Sequence, residues 1–170
     1  MSLPELCQVN AEFSIGKYPV TNAEYAIYAA ATGAAHRSAA AGKERHPVTC
    51  LSWHDANAYC DWLSAQTRAR VRLPTEHEWN LAATGGDNRE YPWGSWQKNR
   101  CNINSIMGTT QVDKYPLGAS PCGARDMAGN VWEWCSDKYD TRDEARSSER
   151  VLRGGSWFDY QSIARCAVRI

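Results

Sequence analysis

The sequence predicts a loop-rich α+β domain with about three helices and short antiparallel strands. Three segments carry a Ser or Thr followed three residues later by an acid, the usual start of a helix. Within residues 129–134, Val131 and Glu133 alternate with two tryptophans, which is the period of a strand. Residues 85–125 show little periodicity, so we expect turns and loops there. A chain of 170 residues suits one domain, residues 1–170, that buries about two-thirds of its unfolded surface.

Composition excludes several function classes. The formal net charge is zero, which gives no electrostatic case for binding nucleic acid or an anionic membrane. No apolar run approaches the ~20 residues needed to cross a bilayer, and no basic segment followed by an apolar one opens the chain. We therefore expect a cytoplasmic protein. Seven cysteines without a C-x-x-C pair favour free thiols over a disulfide scaffold.

The first third of the chain predicts a strand, a helix and a loop. Residues 13–15 form a short strand. Thr21 caps a helix that runs through Ala31, and Glu24 completes the reciprocal capping box. Residues 34–45 are small and polar, which predicts a flexible loop.

Two further helices follow. The second begins near Ser52 or Asp55, and its buried stripe falls at helical spacing. This stripe consists of Ala56, Tyr59, Cys60 and Leu63. The third helix begins after Thr75, with Glu78 at the capping-box position, and ends at Gly85. Its core-facing side chains are Trp79, Ala82 and Ala83.

The tryptophan-rich stretch at residues 129–134 dominates the second half of the chain. An extended backbone would place Trp132 and Trp134 on one buried aromatic face and Glu133 on the opposite, acidic face. Residues 136–149 are highly charged and predict a solvated loop. Residues 151–157 then return as a strand with a Gly-Gly kink, where backbone closely approaches backbone or ligand.

A cation site is one interpretation of this stretch. If the backbone is extended, the carbonyls of Gly129 and Val131 point the same way as the Glu133 carboxylate, and Asp126 can complete the ring. Oxygen ligands of this mixed origin suit Ca²⁺. The alternative is a buried tryptophan corner in which Glu133 accepts hydrogen bonds from nearby backbone N–H groups.

Six ordered blocks carry a family resemblance. Residues 126–134 (Asp-Met-Ala-Gly-Asn-Val-Trp-Glu-Trp) resemble the N-x-x-G-N-V-W-E-W signature of the formylglycine-generating enzyme (sulfatase-modifying factor) superfamily. The other blocks are residues 19–22, 47–53, 72–79, 91–94 and 153–157. The resemblance covers nearly the whole chain and implies a variant of the C-type lectin-like fold. Family members continue past the position of Ile170 with another turn and strand, so we expect a sheet edge here that invites pairing.

The resemblance also bears on catalysis. The family enzyme binds copper through two cysteines just after the block that ends here at Trp157, whereas Asp159 occupies the first of those positions. No cysteine follows until Cys166, which matches a structural half-cystine whose partner position is Ala83. We therefore expect no catalytic residue and no copper. Sulfoxide synthases of this fold use three histidines for iron, and the four histidines here lack ligand spacing.

A second cation position of the family matches Asn102 and Ile103, as a side-chain and a carbonyl ligand respectively. The acidic residue that completes that position in the family is missing, and only Asp113 lies nearby.

The run after the last block suggests a binding function. The variable proteins of diversity-generating retroelements use this fold for display, and adenine mutagenesis of asparagine codons yields the residue types found here. These residues are Phe158, Asp159, Tyr160, Ser162, Ile163, Val168 and Ile170, and we expect Trp157 to join them in the binding surface. Aromatic rings with one charge make a suitable surface for an unknown protein or small-molecule ligand. The alternatives are ordinary drift in a surface loop, an oxidase relative with altered active-site residues, and a structural paralogue that binds partner proteins.

Overall fold

The computed structural model describes residues 4–38, 40–139 and 148–170. These parts contain three α-helices and four short strands, which confirms the predicted α+β class. In chain order the elements are β1 (Leu6–Gln8), β2 (Ser14–Gly16), α1 (Asn22–Thr32), α2 (Trp53–Thr67), α3 (Glu76–Thr84), β3 (Glu133–Lys138) and β4 (Arg150–Arg153). None of the described helices is long and apolar enough to cross a membrane.

Local side-chain chemistry fixes where each helix begins. All three helices start with a complete capping box, in which the cap hydroxyl accepts from a backbone N–H and the acid accepts in return. The cap and acid pairs are Thr21 with Glu24, Ser52 with Asp55, and Thr75 with Glu78. The predicted helix starts are therefore confirmed.

The strands form two antiparallel pairs. In the first, Cys7 lies opposite Ile15; β1 was not predicted, since three residues are too few to show a period. In the second, Glu133 lies opposite Arg153, and the register shifts between Trp134 and Lys138. The carbonyl and N–H of Leu152 bond to the backbone of Ile170 on the other side of β4.

The predicted flexible loop at 34–45 is tied to α1. Ser38 Oγ donates to Asn22 Oδ1 at 2.6 Å, and His36 Nε2 lies 3.0 Å from the same oxygen. The Asn22 amide donates to the Lys43 carbonyl at 3.0 Å. Residue 39 lies outside the described residues, as do residues 140–147 of the predicted charged loop.

The main core surrounds Trp79, which is fully buried. Its cluster includes Ala83 and Cys166, the two positions that the resemblance pairs, but alanine leaves Cys166 without a disulfide partner. All seven cysteines are free, as predicted. A second cluster of tyrosines, with Tyr25 at its centre, joins α1 to α2.

Candidate functional site

The tryptophan-rich stretch is not a continuous strand. β3 begins only at Glu133, and residues 129–131 form bends, so the prediction of an extended segment is wrong for its first three residues. The cause is a pair of left-handed residues, Gly129 at φ 79° and Asn130 at φ 65°. Asp126 is also left-handed, at φ 58°. The alternation in the sequence reflects a turn that leads into a strand.

Gly129 is required by close packing as well as by its conformation. A β-carbon there would lie 2.8 Å from Ile103 Cγ2 and closer still to the Asn102 carbonyl oxygen. The Gly129 N–H donates to the Gly154 carbonyl at 2.9 Å. Three chain segments therefore meet at this glycine, and the predicted close approach at the Gly-Gly kink is confirmed.

Asn130 links these segments and was missed by the sequence analysis as a functional residue. Its side chain is fully buried and all its polar atoms are bonded. The amide donates to Asp126 Oδ2 at 2.7 Å and to the Thr110 carbonyl at 3.2 Å. Its oxygen accepts from the Thr110 N–H at 2.9 Å and from the Asn102 amide at 3.2 Å. The Asn130 carbonyl accepts from the Trp157 N–H at 3.0 Å.

Asp126 is a buried carboxylate bonded to a neutral partner. Burial raises its pKa to about 7, although the Asn130 hydrogen bond and the charge of Arg125 act in the opposite direction.

Glu133 is half-buried and lies between the core and a cavity. Its carboxylate accepts a hydrogen bond from Trp79 Nε1 at 2.7 Å. The tryptophan-corner interpretation predicted backbone N–H donors, whereas this donor is an indole. Burial raises the pKa of Glu133 to about 8; the Trp79 hydrogen bond opposes that rise, and the charge of Asp126 adds to it. Loss of solvent thus disfavours the charged form of both carboxyl groups.

The donor chemistry here fits a hard cation. Within the described part of the chain, neither Asp126 nor Glu133 forms an ion pair, and Arg125 lowers the pKa of Asp126 without pairing with it. Residues 4–38, 40–139 and 148–170 contain no group of three His, Cys, Asp or Glu side chains that could hold a metal. A cation would therefore also need the carbonyls of Gly129 and Val131. The Gly129 carbonyl already accepts from the Val131 N–H at 2.9 Å and has one lone pair left.

The second predicted cation position has a different arrangement. The Asn102 amide donates to the Gly108 carbonyl at 3.0 Å and to Asn130, so it closes a loop. Asp113 forms an ion pair with Arg45. Ile103 packs beside the small buried cluster of Cys101, Ala128 and Ala164. The acid predicted to lie near this position is thus already paired.

A cavity of about 760 Å³ opens between the helices and the start of β3. Apolar and aromatic side chains dominate its wall, among them Tyr59, Leu63 and Trp132, while Glu133 and Trp157 also border it. Its size is that of a small-molecule pocket. The sequence offered no signal for it, because its lining comes from distant segments.

The predicted ligand residues fall into two places. Phe158 and Tyr160 are 72% and 69% exposed, and the Phe158 ring packs edge-to-face on the half-buried Trp157 at 5.6 Å. Ser162 is exposed, whereas Ile163 and Val168 are half-buried. Ile170 lies beside β4 and borders a second cavity, together with Trp53 and Trp134.

Asp159 does not present a free charge. Its carboxylate accepts from the Ser156 N–H at 2.8 Å and from the Ser156 hydroxyl at 2.6 Å. The Asp159 N–H donates back to the Ser156 carbonyl at 3.2 Å. The predicted acidic contact is therefore an internal brace of the turn.

Cys166 lies in the core, away from this turn. It is buried, and burial raises the pKa of its thiol to about 12, which makes it a poor nucleophile and a poor copper ligand near neutral pH.

A sequence profile described as the sulfatase-modifying factor enzyme 1-like domain matches residues 4–170. The chain belongs to this family. The inactive C-alpha-formylglycine-generating enzyme 2 of Bos taurus is 39% identical over 131 residues, which are 69% of this chain and 40% of that protein. The formylglycine-generating enzyme of Thermomonospora curvata is 36% identical over 152 residues, 71% of this chain and 47% of that enzyme. The chain thus spans less than half the length of either family relative.

Among solved structures, Treponema denticola variable protein 1 superposes with a TM-score of 0.71 over 99% of this chain and 86% of that one. The sequence identity is 24%, so this likeness shows the fold alone. The chain therefore has an inactive relative and an enzyme within its family, and it shares its fold with a protein named for variability.

Proposed function

We propose that this chain is a non-catalytic ligand-binding domain, in the manner of a retroelement-diversified variable protein, with its C-terminal run as the binding surface. The exposure of Phe158 and Tyr160 carries this proposal. One of these large aromatic side chains lies in the turn at residues 156–159 and the other directly after it, and both remain mostly in solvent. Aromatic anchors of this kind dominate binding energy at protein interfaces.

The turn is held rigidly, which lowers the entropic cost of binding. The carbonyls of Trp157 and Asp159 each accept a backbone N–H, from Ser105 and Asn104 respectively, at 2.8 Å. The brace between Ser156 and Asp159 adds two more bonds. A rigid backbone with exposed, replaceable side chains suits display of variable residues.

One family relative and one structural neighbour support a binding role. One relative carries the word inactive in its name, and the fold is shared with a protein named for variability. The flanking DNA tests diversification directly. We expect a near-identical repeat that differs from codons 157–170 only at template adenines, beside a reverse transcriptase gene. A locus without such a repeat would refute the retroelement assignment.

A display library tests the binding surface itself. Positions 158, 160, 162 and 163 would be randomised while Asp159 is kept, because its carboxylate holds the turn. Selection against hen egg-white lysozyme as a model target should give folded binders with melting temperatures close to that of the parent. The matched control is a library at Trp79, Ala82 and Ala83, which lie in the core and should give no folded clones. Loss of folding in the first library would refute the display role.

We also propose that Asp126, Glu133 and the carbonyls of Gly129 and Val131 hold one Ca²⁺. Free Ca²⁺ at a hundredfold excess over its Kd should add about 2.7 kcal/mol to the free energy of unfolding. For a chain of this size that corresponds to a rise of roughly 5–10 °C in the melting temperature over an EDTA-treated sample. Glu133→Gln should abolish the rise. Equal melting temperatures in EDTA and Ca²⁺ would contradict the site.

The competing function is an oxidase with altered residues, favoured by the identity to formylglycine-generating enzyme. Mass spectrometry of a cysteine-containing sulfatase peptide, incubated with the protein, Cu(I) and oxygen, separates the two. We expect the thiol peptide to survive, because Asp159 offers a hard oxygen where a thiolate is needed. Conversion to the aldehyde would establish the enzyme and refute the non-catalytic proposal.

A further inference from the structure

We propose that residues 104–107 form the second half of the binding surface, and that its partner is a protein with an apolar, uncharged contact patch. This inference rests on the proposed function, because it extends the same surface. We call residues 104–107 together with residues 157–160 the two-turn surface.

Backbone hydrogen bonds join the two turns. The Asn104 N–H donates to the Asp159 carbonyl and the Ser105 N–H to the Trp157 carbonyl, both at 2.8 Å. Ile106 is the next residue after the two donors, and Phe158 lies between the two residues whose carbonyls accept these bonds. The two turns therefore lie side by side.

Hydrogen bonds hold the 104–107 turn in place. At its base, the Asn102 amide donates to the Gly108 carbonyl at 3.0 Å and closes the loop. Within it, the Met107 N–H donates to Ser105 Oγ at 3.1 Å. Because Asn102 also bonds the buried Asn130, the base of this turn is anchored in the interior.

The tip of this turn carries two apolar side chains in water. Ile106 is 95% exposed and Met107 is 83% exposed. Isoleucine and methionine are among the residue types most often buried, because removing their apolar surface from water is favourable. Folding gains nothing from them at this position, whereas an apolar partner would gain from covering both.

The chemistry of the two-turn surface indicates the class of partner. Asp159 is its only charged residue, and the bonds to Ser156 occupy that carboxylate. Four exposed apolar side chains remain, with an area on the order of 500 Å² between them. That approaches the ~800 Å² per partner of a standard protein interface and is more than a small ligand covers. An uncharged protein patch matches both the area and the lack of charge.

The test uses a defined probe, a phage-displayed library of a three-helix bundle with one randomised face, selected against the intact protein. We expect the selected faces to be rich in apolar residues. The double variant I106S/M107S should weaken their binding at least about tenfold, and F158S/Y160S should do the same. The control L117S removes another apolar side chain, 66% exposed, outside the two turns and should leave binding unchanged.

The outcomes separate this inference from the proposed function. If F158S/Y160S weakens binding but I106S/M107S does not, the extension is refuted and the proposed function stands. If neither variant weakens binding, both are refuted. Selected faces rich in charged residues would refute the partner class. Melting temperatures of all variants should match the parent, because each replaced side chain is exposed; a loss of folding in I106S/M107S would refute its assignment to a binding surface.

Discussion

Replacing Asn130 by alanine removes four side-chain hydrogen bonds from a fully buried site. At a net value of about 1 kcal/mol each, their loss lowers the free energy of unfolding by about 4 kcal/mol. The left-handed backbone, at φ 65°, adds about 1 kcal/mol, because alanine tolerates it less well than asparagine. The expected total of about 5 kcal/mol is a large part of the 5–15 kcal/mol typical of a domain.

Urea denaturation followed by tryptophan fluorescence measures this loss, with Asn99→Ala as the control. Asn99 is an exposed asparagine at φ 61°, and its side chain forms no hydrogen bond within the described residues. It should therefore lose only the backbone contribution of about 1 kcal/mol. The difference between the two variants isolates the hydrogen bonds. Equal losses in both variants would refute the reasoning that Asn130 holds the turn together through its side chain.

Three further predictions concern the same region and one helix start. In EDTA, the free energy of unfolding should fall as pH rises from about 5 to 8. The reason is that Asp126 and Glu133 keep their protons to about pH 7 and 8 in the folded protein but ionise near pH 4 in the unfolded chain. Urea titrations at several pH values should show a flatter profile for Glu133→Gln, and a parent profile that rises with pH would contradict the prediction. Gly129→Ala should lower thermal stability by about 3 kcal/mol in circular dichroism melts, since its β-carbon would collide with the Asn102 carbonyl; an unchanged melt would contradict the close packing. Thr75→Ala should cost about 1 kcal/mol through loss of the α3 cap, and Thr75→Ser should restore it.

The helix starts could be predicted because their causes are local. Thr21, Ser52 and Thr75 each bond to a residue three positions along the chain, so the pattern in the sequence contains the whole interaction. The same holds for the buried stripe of α2, where Tyr59 and Leu63 are fixed by helical spacing.

The candidate site could be predicted only in part, because its geometry depends on distant partners. The conformation of Asn130 is supported by Asn102 and Thr110, 28 and 20 residues away in the chain. No periodicity reports such contacts, so the alternation of residues 129–134 was interpreted as a longer strand. Likewise, the carboxylate of Asp159 looked free in the sequence because Ser156 carries no pattern that marks it as a partner.

The free thiols differ sharply in their access to reagents. Cys50 alone among the seven is exposed, and it stands in a left-handed turn before α2, at the border of the 760 Å³ cavity. The deeply buried thiols, such as Cys60 and Cys101, have raised pKa values of about 11 and 12, which suppress their reaction with alkylating agents. A maleimide dye added to the folded protein should consequently react fastest at Cys50, without any engineered cysteine. A fluorescent label on Cys50 would report on the cavity that this residue borders. Cys50 belongs neither to the core nor to the two-turn surface.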